Sequence, residues 1–164
     1  MPGEPKRGST QPADPQTQVL QQFRLVFNAV KAHWQQVERE SGIGGAQVWA
    51  LSVIRGRPGI GVNELAAALS VAQPTASYLA RSLSQQGLIE SRREGPDKRA
   101  VQLHVTPDGR QRLRRTPGPF EGVLPEALSR LDEALLLRLQ ADLAQLIAAL
   151  KADPDAAELP MSGL

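Results

Sequence analysis

Four basic side chains flank a short turn in the middle of the chain, where their charge could act on a partner. They are Arg92, Arg93, Lys98 and Arg99. Residues 95–97 between them read Gly-Pro-Asp, which is a strong turn sequence. A hairpin turn does not need four cations for its own stability, because their mutual repulsion destabilises it, whereas a polyanion offsets that repulsion. The chemistry suggested by these residues is therefore the binding of a phosphate backbone.

The segments on either side of this turn are predicted to be β-strands, Leu88–Glu94 and Ala100–Thr106. In the second segment, apolar residues at 101, 103 and 105 alternate with Gln102 and His104, which is the pattern of a strand with one buried face. His104 is expected on the outer side of its strand, as a solvated residue or one close to the polyanion, rather than as a metal ligand. The two strands and their turn form a basic hairpin wing.

A helix, a turn and a second helix are predicted upstream of the wing. Leu65, Ala66 and Leu69 recur at helical spacing, and residues 70–71 break that pattern. Pro74 lies near the start of the second helix, where its missing N–H costs nothing. Gly87 is expected to end that helix in the left-handed conformation. This order of parts predicts a helix-turn-helix followed by a wing.

The second helix has an apolar inner face and a polar outer face. Its inner face is formed by Ala76, Leu79, Ala80 and Leu83. Its outer residues are Gln73, Thr75, Ser77, Tyr78 and Arg81. Gln, Thr and Ser side chains can read base edges, and Arg can hold a phosphate or a guanine. A solvated face on a core helix explains this segment equally well, and the basic wing favours DNA binding.

The charge of the chain is concentrated in this region. Residues 73–115 contain nine Lys/Arg and four Asp/Glu side chains, whereas the whole chain has a net charge of only +2. One basic segment on a mildly acidic body is the electrostatic footprint of a nucleic-acid-binding protein.

A spaced motif runs through the wing: Asp97-Lys98-Arg99, five residues, Val105-Thr106, two residues and Gly109. With ELAAALSVAQPTASYLARSLSQQGLIESR and GIGGAQVWALSVIRG upstream, it resembles the MarR family of winged-helix transcription regulators over roughly residues 19–150. The resemblance implies that residues 73–86 enter a major groove and that the wing, through Arg99, reaches the adjacent minor groove. Ala72 stands where the family usually has Ser or Thr, which implies loss of a helix cap typically worth ~1 kcal/mol.

Long amphipathic helices are predicted at both ends of the chain. The first is marked by Val19, Leu20, Phe23, Val26, Phe27, Val30, Trp34 and Val37. The last carries a stripe of Leu131, Leu135, Leu139, Leu143, Leu146 and Leu150, which Leu136 and Ile147 widen and from which Leu137 is displaced. Ser129 and Asp132 resemble a capping box at its start. So much apolar surface favours a helical dimer interface, as the resemblance also implies, and an intramolecular bundle is the alternative.

A break is predicted between the wing and the last helix. Thr106-Pro107 is a good helix start, but prolines and glycines between residues 117 and 125 interrupt the helix, so a break or kink is expected near 116–119. A basic cluster precedes the break: Arg110, Arg112, Arg114 and Arg115. The sequence leaves open whether these side chains face phosphates or are simply solvated.

The resemblance also implies a cleft for small aromatic acids or phenols between the dimer helices and the DNA-binding lobe. The candidate lining residues are Arg24, His33, Trp34, Trp49 and Arg55, of which Arg24 or Arg55 could meet a carboxylate. The favoured interpretation of the two tryptophans is structural, with Trp34 in the core and Trp49 at the dimer contact.

Several function classes are disfavoured by the composition. The chain has no cysteine, which excludes disulfides and thiol redox sensing, and only two histidines on separate elements, so neither a metal site, a cofactor nor an enzyme is expected. No apolar run is long enough to span a bilayer and the first residues lack a signal-peptide core, so a cytoplasmic protein is expected.

The predicted fold is mainly α with a small β-hairpin wing, in one domain over residues 16–152 between a flexible tail (1–15) and a C-terminal tail (153–164). The winged helix-turn-helix covers about 44–106, and the dimerisation helices cover about 17–41 and 107–151. The predicted function is a homodimer that binds specific sequences of double-stranded DNA and represses transcription. A small aromatic or phenolic ligand is predicted as a further partner. The alternatives are an activator, or a winged-helix interaction scaffold, against which the basic wing argues.

Overall fold

Seven helices and two strands are present in the part of the chain described by a computed structural model, which covers residues 14–93, 101–153, 156–157 and 160–161. In chain order they are α1 (Pro15–Ser41), α2 (Gly45–Gly56), α3 (Val62–Leu69), α4 (Gln73–Gln85), β1 (Ile89–Arg92), β2 (Gln102–Val105), α5 (Pro107–Arg115), α6 (Val123–Ser129) and α7 (Glu133–Leu150). The fold is mainly helical with one antiparallel hairpin, as the sequence predicts.

The helix-turn-helix is formed by α3 and α4. Ser70 ends α3 in the left-handed conformation with φ +52°, and Gly87 follows the end of α4 with φ +70°, as predicted. Ala72 is the N-cap residue of α4 and makes no side-chain hydrogen bond to the helix, so the expected loss of a cap is confirmed.

The hairpin is shorter than the sequence predicts. Ile89 pairs with Val105 and Arg92 with Gln102 in an antiparallel register, while the predicted tip, residues 94–100, lies outside the described residues. Leu88 precedes β1, and Thr106 caps the next helix instead of extending β2. Leu103 also forms a bridge with Ile60, which ties the hairpin to the loop before α3.

The start of α5 joins the hairpin to the helix-turn-helix. The Thr106 hydroxyl accepts from the Gly109 N–H at 3.1 Å and donates to the Gly87 carbonyl at 2.7 Å. A Cβ on Gly109 would collide with the Leu88 carbonyl oxygen, so the glycine of the wing motif is required by a close backbone approach. Helix α5 ends at Arg115 and α6 begins at Val123, so the predicted break near 116–119 is confirmed.

The capping box predicted at Ser129 is wrong. Ser129 is the last residue of α6, and its hydroxyl donates to the Glu126 carbonyl. Asp132 is itself the N-cap of α7 and accepts from the Leu135 N–H at 2.8 Å. A separate short helix occupies the residues before Asp132, so the cap signal applies to Asp132 and not to the serine three residues earlier.

The core lies where α2, α3, α4 and the hairpin meet, and the part of α1 from Val30 onward completes it. Its fully buried large side chains include Val37, Val48, Leu51, Ile54, Leu65, Leu69, Leu83, Leu88, Leu103 and Leu113. Every core position predicted on α3 and α4 is buried.

Two helical segments lie outside this core. In α1 the side chains from Pro15 to Ala29 are exposed except Phe23, and burial begins at Val30. In α7 no residue is buried, and every residue from Gln140 onward is exposed. Within the residues covered by the structure, no helix is long and apolar enough to cross a membrane.

Candidate nucleic-acid interface

The polar face of α4 is presented to solvent as the helical period predicts. Gln73, Tyr78 and Arg81 are exposed, Tyr78 to 67%, while Thr75 and Ser77 are half-buried. The Gln73 amide nitrogen donates to the Ser77 hydroxyl at 3.1 Å, one turn along the helix. This contact holds the Gln73 side chain along the helix surface at the end where α4 begins.

The orientation of α4 is fixed from its other side by a contact that the sequence did not predict. The Gln47 amide donates to the Ser82 hydroxyl at 2.6 Å, and its oxygen accepts from the Gly44 N–H at 3.1 Å. Gln47 therefore closes the first turn of α2 and ties it to the last turn of α4. The only signal in the sequence was the position of Gln47 within the segment that resembles the family's second helix.

The base of the wing carries two of the predicted DNA-binding arginines. Arg92 ends β1 and forms an ion pair with Glu90, and Arg93 follows it as an exposed residue. Asp97, Lys98 and Arg99 lie outside the described residues, so their placement stays a prediction.

The arginines of α5 divide into structural and exposed side chains. Arg112 is half-buried and donates to the Ser41 carbonyl, which joins α5 to the end of α1. Arg110 is exposed and donates to the Val105 carbonyl at 2.9 Å. Arg114 and Arg115 are exposed. The sequence left open whether these arginines face phosphates or are solvated. Neither interpretation describes Arg112, because it contacts a residue 71 positions away.

His104 differs from the predicted solvated residue. It lies on the outer side of β2, as its alternation indicates, but the side chain is half-buried. Its Nε2 is buried and has no hydrogen-bond partner among the described residues. Arg55, Pro58 and Arg110 line the same hollow as the ring, and these residues come from α2, the following loop and α5.

The candidate ligand residues separate into different environments. Trp34 and Trp49 line one cavity of about 230 Å³, together with Leu69, Ser70, Val71, Ala46, Glu121, Pro125, Ala157, Pro160 and Met161. His33 instead contacts the Pro119 carbonyl through Nε2 at 3.0 Å, and the Arg55 guanidinium lies 5.5 Å from the centre of the Phe120 ring. Arg24 is exposed on the outer part of α1. The His33 ring also packs edge-on against Trp34, with 4.8 Å between the ring centres, so the structure brings His33 and the two tryptophans together and leaves Arg24 apart.

Trp34 has the core position that the sequence favours. It is 9% exposed and packs so closely on Gly45 and Gly122 that a Cβ at either position would collide with its ring. Ala157 and residues 160–161 of the C-terminal tail also line this cavity.

The described residues contain no group of three potential metal-binding side chains. This finding concerns those residues alone.

Comparisons with known proteins agree with the fold. Three solved structures match with a probability of 1.00: MepR of Staphylococcus aureus in complex with DNA, FabT of Streptococcus pneumoniae in complex with DNA, and the transcriptional regulator BldR of Sulfolobus solfataricus. Their sequence identities are 23%, 21% and 22%, and their TM-scores are 0.55, 0.52 and 0.53. The alignments cover 80%, 83% and 82% of this chain and 97%, 97% and 99% of the other chains.

A comparison with curated protein sequences finds no match. The family model described as "MarR family" matches residues 41–100, which span the helix-turn-helix and most of the wing. Residues 41–100 therefore match the MarR family, and the solved structures share the fold across the flanking helices.

Proposed function

We propose that the protein is a sequence-specific DNA-binding regulator of transcription. The observation that carries this proposal is the exposed polar face of α4 beside a basic hairpin, on a helix-turn-helix frame whose opposite faces are buried. In winged folds of this kind, the second helix enters the major groove and its first residues contact base edges. Two related folds, MepR and FabT, have been solved in complex with DNA, which supports the same role here.

The division of labour among the DNA-binding residues follows from their chemistry. Gln73 at the start of α4 is the principal reader of base edges, and Thr75, Ser77 and Tyr78 are the further candidates on that face. Arg81, Arg92 and Arg93 supply phosphate contacts that position the protein without reading sequence. Asp97, Lys98 and Arg99 belong to the wing tip, where an arginine suits the concentrated negative potential of a narrow minor groove.

The functional unit is proposed to be a homodimer formed through α1 and α7. Apart from Leu137, which lies off the stripe, the exposed large apolar residues on these two helices are Val19, Leu20, Leu25, Val26, Phe27, Leu136, Leu143, Leu146, Ile147 and Leu150. Monomeric proteins rarely leave contiguous apolar surface of this kind in water. A twofold interface buries the same patch on both copies, so the two α4 helices would face half-sites about one turn of DNA, ~34–36 Å, apart.

Repression relieved by a small aromatic ligand is the proposed mode of control. The cavity beside Trp34 and Trp49 contacts α1, which leads to the proposed dimer interface, and also residues 70–71, which begin the turn before α4. A ligand placed there would couple the spacing of the two DNA-binding lobes of the dimer to the orientation of α4. The cavity volume of about 230 Å³ is below the usual range for drug-sized ligands and suits a single aromatic ring.

Selection of bound sequences from random duplexes tests the proposal. A regulator of this form should recover an inverted repeat whose half-site centres lie ~10 base pairs apart. Recovery of unrelated sequences would favour the interaction scaffold instead. Transcription in vitro from a promoter that contains the recovered repeat then separates a repressor, which lowers transcript yield, from an activator, which raises it.

A further inference from the structure

A hollow of about 440 Å³ lies on the outer side of the hairpin, away from the Trp34–Trp49 cavity. Its walls come from the C-terminal end of α2, the loop before α3, both strands and the first turns of α5. The lining residues are Ile54, Arg55, Pro58, Glu90, Arg92, His104, Val105, Pro107 and Arg110. This space is named the Arg55–Arg110 hollow below.

Positive charge exceeds negative charge in this hollow. Three arginines and one carboxylate line it, and the carboxylate of Glu90 is already paired with Arg92. In the part of the chain that the structure describes, neither Arg55 nor Arg110 has a carboxylate within ion-pair distance. Two guanidinium groups that share a hollow repel one another, and an anion placed between them would offset that repulsion.

Both guanidinium groups are held in place by neutral neighbours. Arg110 donates from one nitrogen to the Val105 carbonyl at 2.9 Å, and Arg55 lies over the Phe120 ring at 5.5 Å. A guanidinium carries five N–H donors, so one hydrogen bond or one ring contact leaves most of them available. These neighbours restrict each side chain without neutralising its charge, which lowers the entropy cost of binding an anion.

His104 supplies a second observation at the same place. Its Nε2 is buried and makes no hydrogen bond with any described residue, which is uncommon for a polar atom in a folded protein. No hydrogen bond at Nε2 therefore fixes the ring, which lines the hollow. The imidazole also provides a spectroscopic reporter inside the hollow, because the chain has only two histidines.

We propose that the Arg55–Arg110 hollow binds an oxyanion, a phosphate or carboxylate group, through the guanidinium groups of Arg55 and Arg110. Because the walls belong to α2, the hairpin and α5, an anion there would fasten the wing to the rest of the DNA-binding lobe. The anion has two possible sources, a small acid free in solution or a phosphate of the DNA backbone. The chemistry recognised is the same in both cases.

Titration of the full chain with inorganic phosphate, at constant ionic strength set with chloride, tests the binding itself. We expect saturable shifts of the His104 imidazole NMR signals, assigned with a His33→Gln variant. Arg55→Gln and Arg110→Gln should each weaken phosphate binding about tenfold, since a hydrogen bond to a charged group is worth that much. Arg114→Gln is the matched control, because it removes the same charge from an exposed residue one turn after Arg110.

The absence of saturable shifts in the wild-type protein would overturn the proposal. An equal loss of affinity in Arg114→Gln would also overturn it, because net charge alone would then explain the binding. If Arg110→Gln fails to fold for lack of the Val105 contact, Arg55→Gln still decides the matter, since Arg55 makes no hydrogen bond with a described residue.

A second arm identifies the source of the anion. If DNA supplies it, a duplex should shift the His104 signals, and both hollow variants should lower the salt slope of duplex binding by about one unit relative to Arg114→Gln. If a small acid supplies it, the duplex should leave those signals unchanged, and the three variants should bind the duplex alike. The phosphate titration needs no DNA, so it can contradict anion binding in the hollow while the proposed DNA-binding function stands. In the same way, a failure to bind DNA would leave the phosphate result unaffected.

Discussion

Leucine side chains meet opposite environments in two regions of this chain. In the helix-turn-helix lobe, Leu51, Leu65 and Leu83 are completely buried within a single copy of the protein. On α7, Leu143 is 42% exposed and Leu137 is 58% exposed. The lobe therefore buries its own apolar residues, whereas α7 and the outer half of α1 leave theirs exposed in a single copy. One chain is sufficient to position α4, and the proposed dimer would cover the two long helices.

Leu143→Asp should have the largest effect, because it places a charge among the apolar side chains exposed on α7. A charge buried without a partner in the proposed interface should weaken the dimer by several kcal/mol, ~3–5, while the lobe keeps its core. Light scattering over a range of concentrations gives the oligomeric state, and far-UV circular dichroism checks that the helices persist.

Leu137→Asp is the matched control for that variant, because it makes the same change on the same helix but off the stripe. It should leave a normal dimer. A stable dimer from Leu143→Asp would remove Leu143 from the interface, and equal loss in both variants would mean that the stripe does not define the contact face.

The local signals in the sequence were sufficient for the lobe. Helical spacing predicted the buried face of α4, and Gly87 and Thr106 end and begin helices as their residue types require. The strand and cap errors arose where two local signals overlap: Thr106 extends a strand pattern but caps α5, and Ser129 precedes a second cap at Asp132.

Contacts between distant residues could not be predicted in this way. Arg112 reaches Ser41, and His33 reaches Pro119 across 86 positions, so no local pattern announces either contact. The same holds for the candidate ligand residues, only some of which meet in space. Trp34 and Trp49 meet at one cavity and the His33 ring packs on Trp34, while Arg24 is exposed on the outer part of α1. Residue type indicated the chemistry, and packing decided which groups share a site.

Within the lobe, Gln73→Ala should reduce the preference for operator over random DNA by ~1–3 kcal/mol, if Gln73 contacts a base through both polar atoms of its amide. The exposed Gln85 at the far end of α4 offers a control, since Gln85→Ala makes the same change away from the reading end. Competition binding with the two DNAs measures the difference. Equal losses on both DNAs would place Gln73 on the backbone only.

Two substitutions at the wing tip test whether DNA binding depends on the arrangement of its side chains or only on net charge. Arg99→Ala should weaken operator binding and lower the salt slope by about one unit, because one groove or phosphate contact is lost. Asp97→Ala should weaken binding too, although it makes the protein more basic, because the carboxylate is proposed to cap the turn or orient an arginine. Titrations at two salt concentrations measure both effects.

Asp108→Ala provides the comparison for the Asp97 variant. It removes one negative charge from an exposed residue at the start of α5, outside the wing, and should leave operator binding unchanged or slightly tighter. Tighter binding by Asp97→Ala as well would show that net charge alone governs DNA binding by the wing. It would contradict the proposal that Asp97 caps the turn or orients an arginine.

The smallest expected effect concerns the N-terminal end of α4, whose N-cap residue makes no side-chain hydrogen bond to the helix. Ala72 has the extended backbone of an N-cap residue, with φ −62° and ψ 147°, but no side-chain oxygen. Pro74 has no N–H to offer, so a hydroxyl at position 72 would accept from the N–H of Thr75. Ala72→Ser should therefore raise the free energy of unfolding by about 1 kcal/mol. Ala67→Ser, an exposed position inside α3, should slightly lower it. Urea denaturation of both variants at one protein concentration compares them, since the proposed dimer would make stability depend on concentration. If Ala72→Ser is no more stable than the wild-type protein, α4 gains its stability entirely from packing against α2 and α3, and the capping argument does not apply.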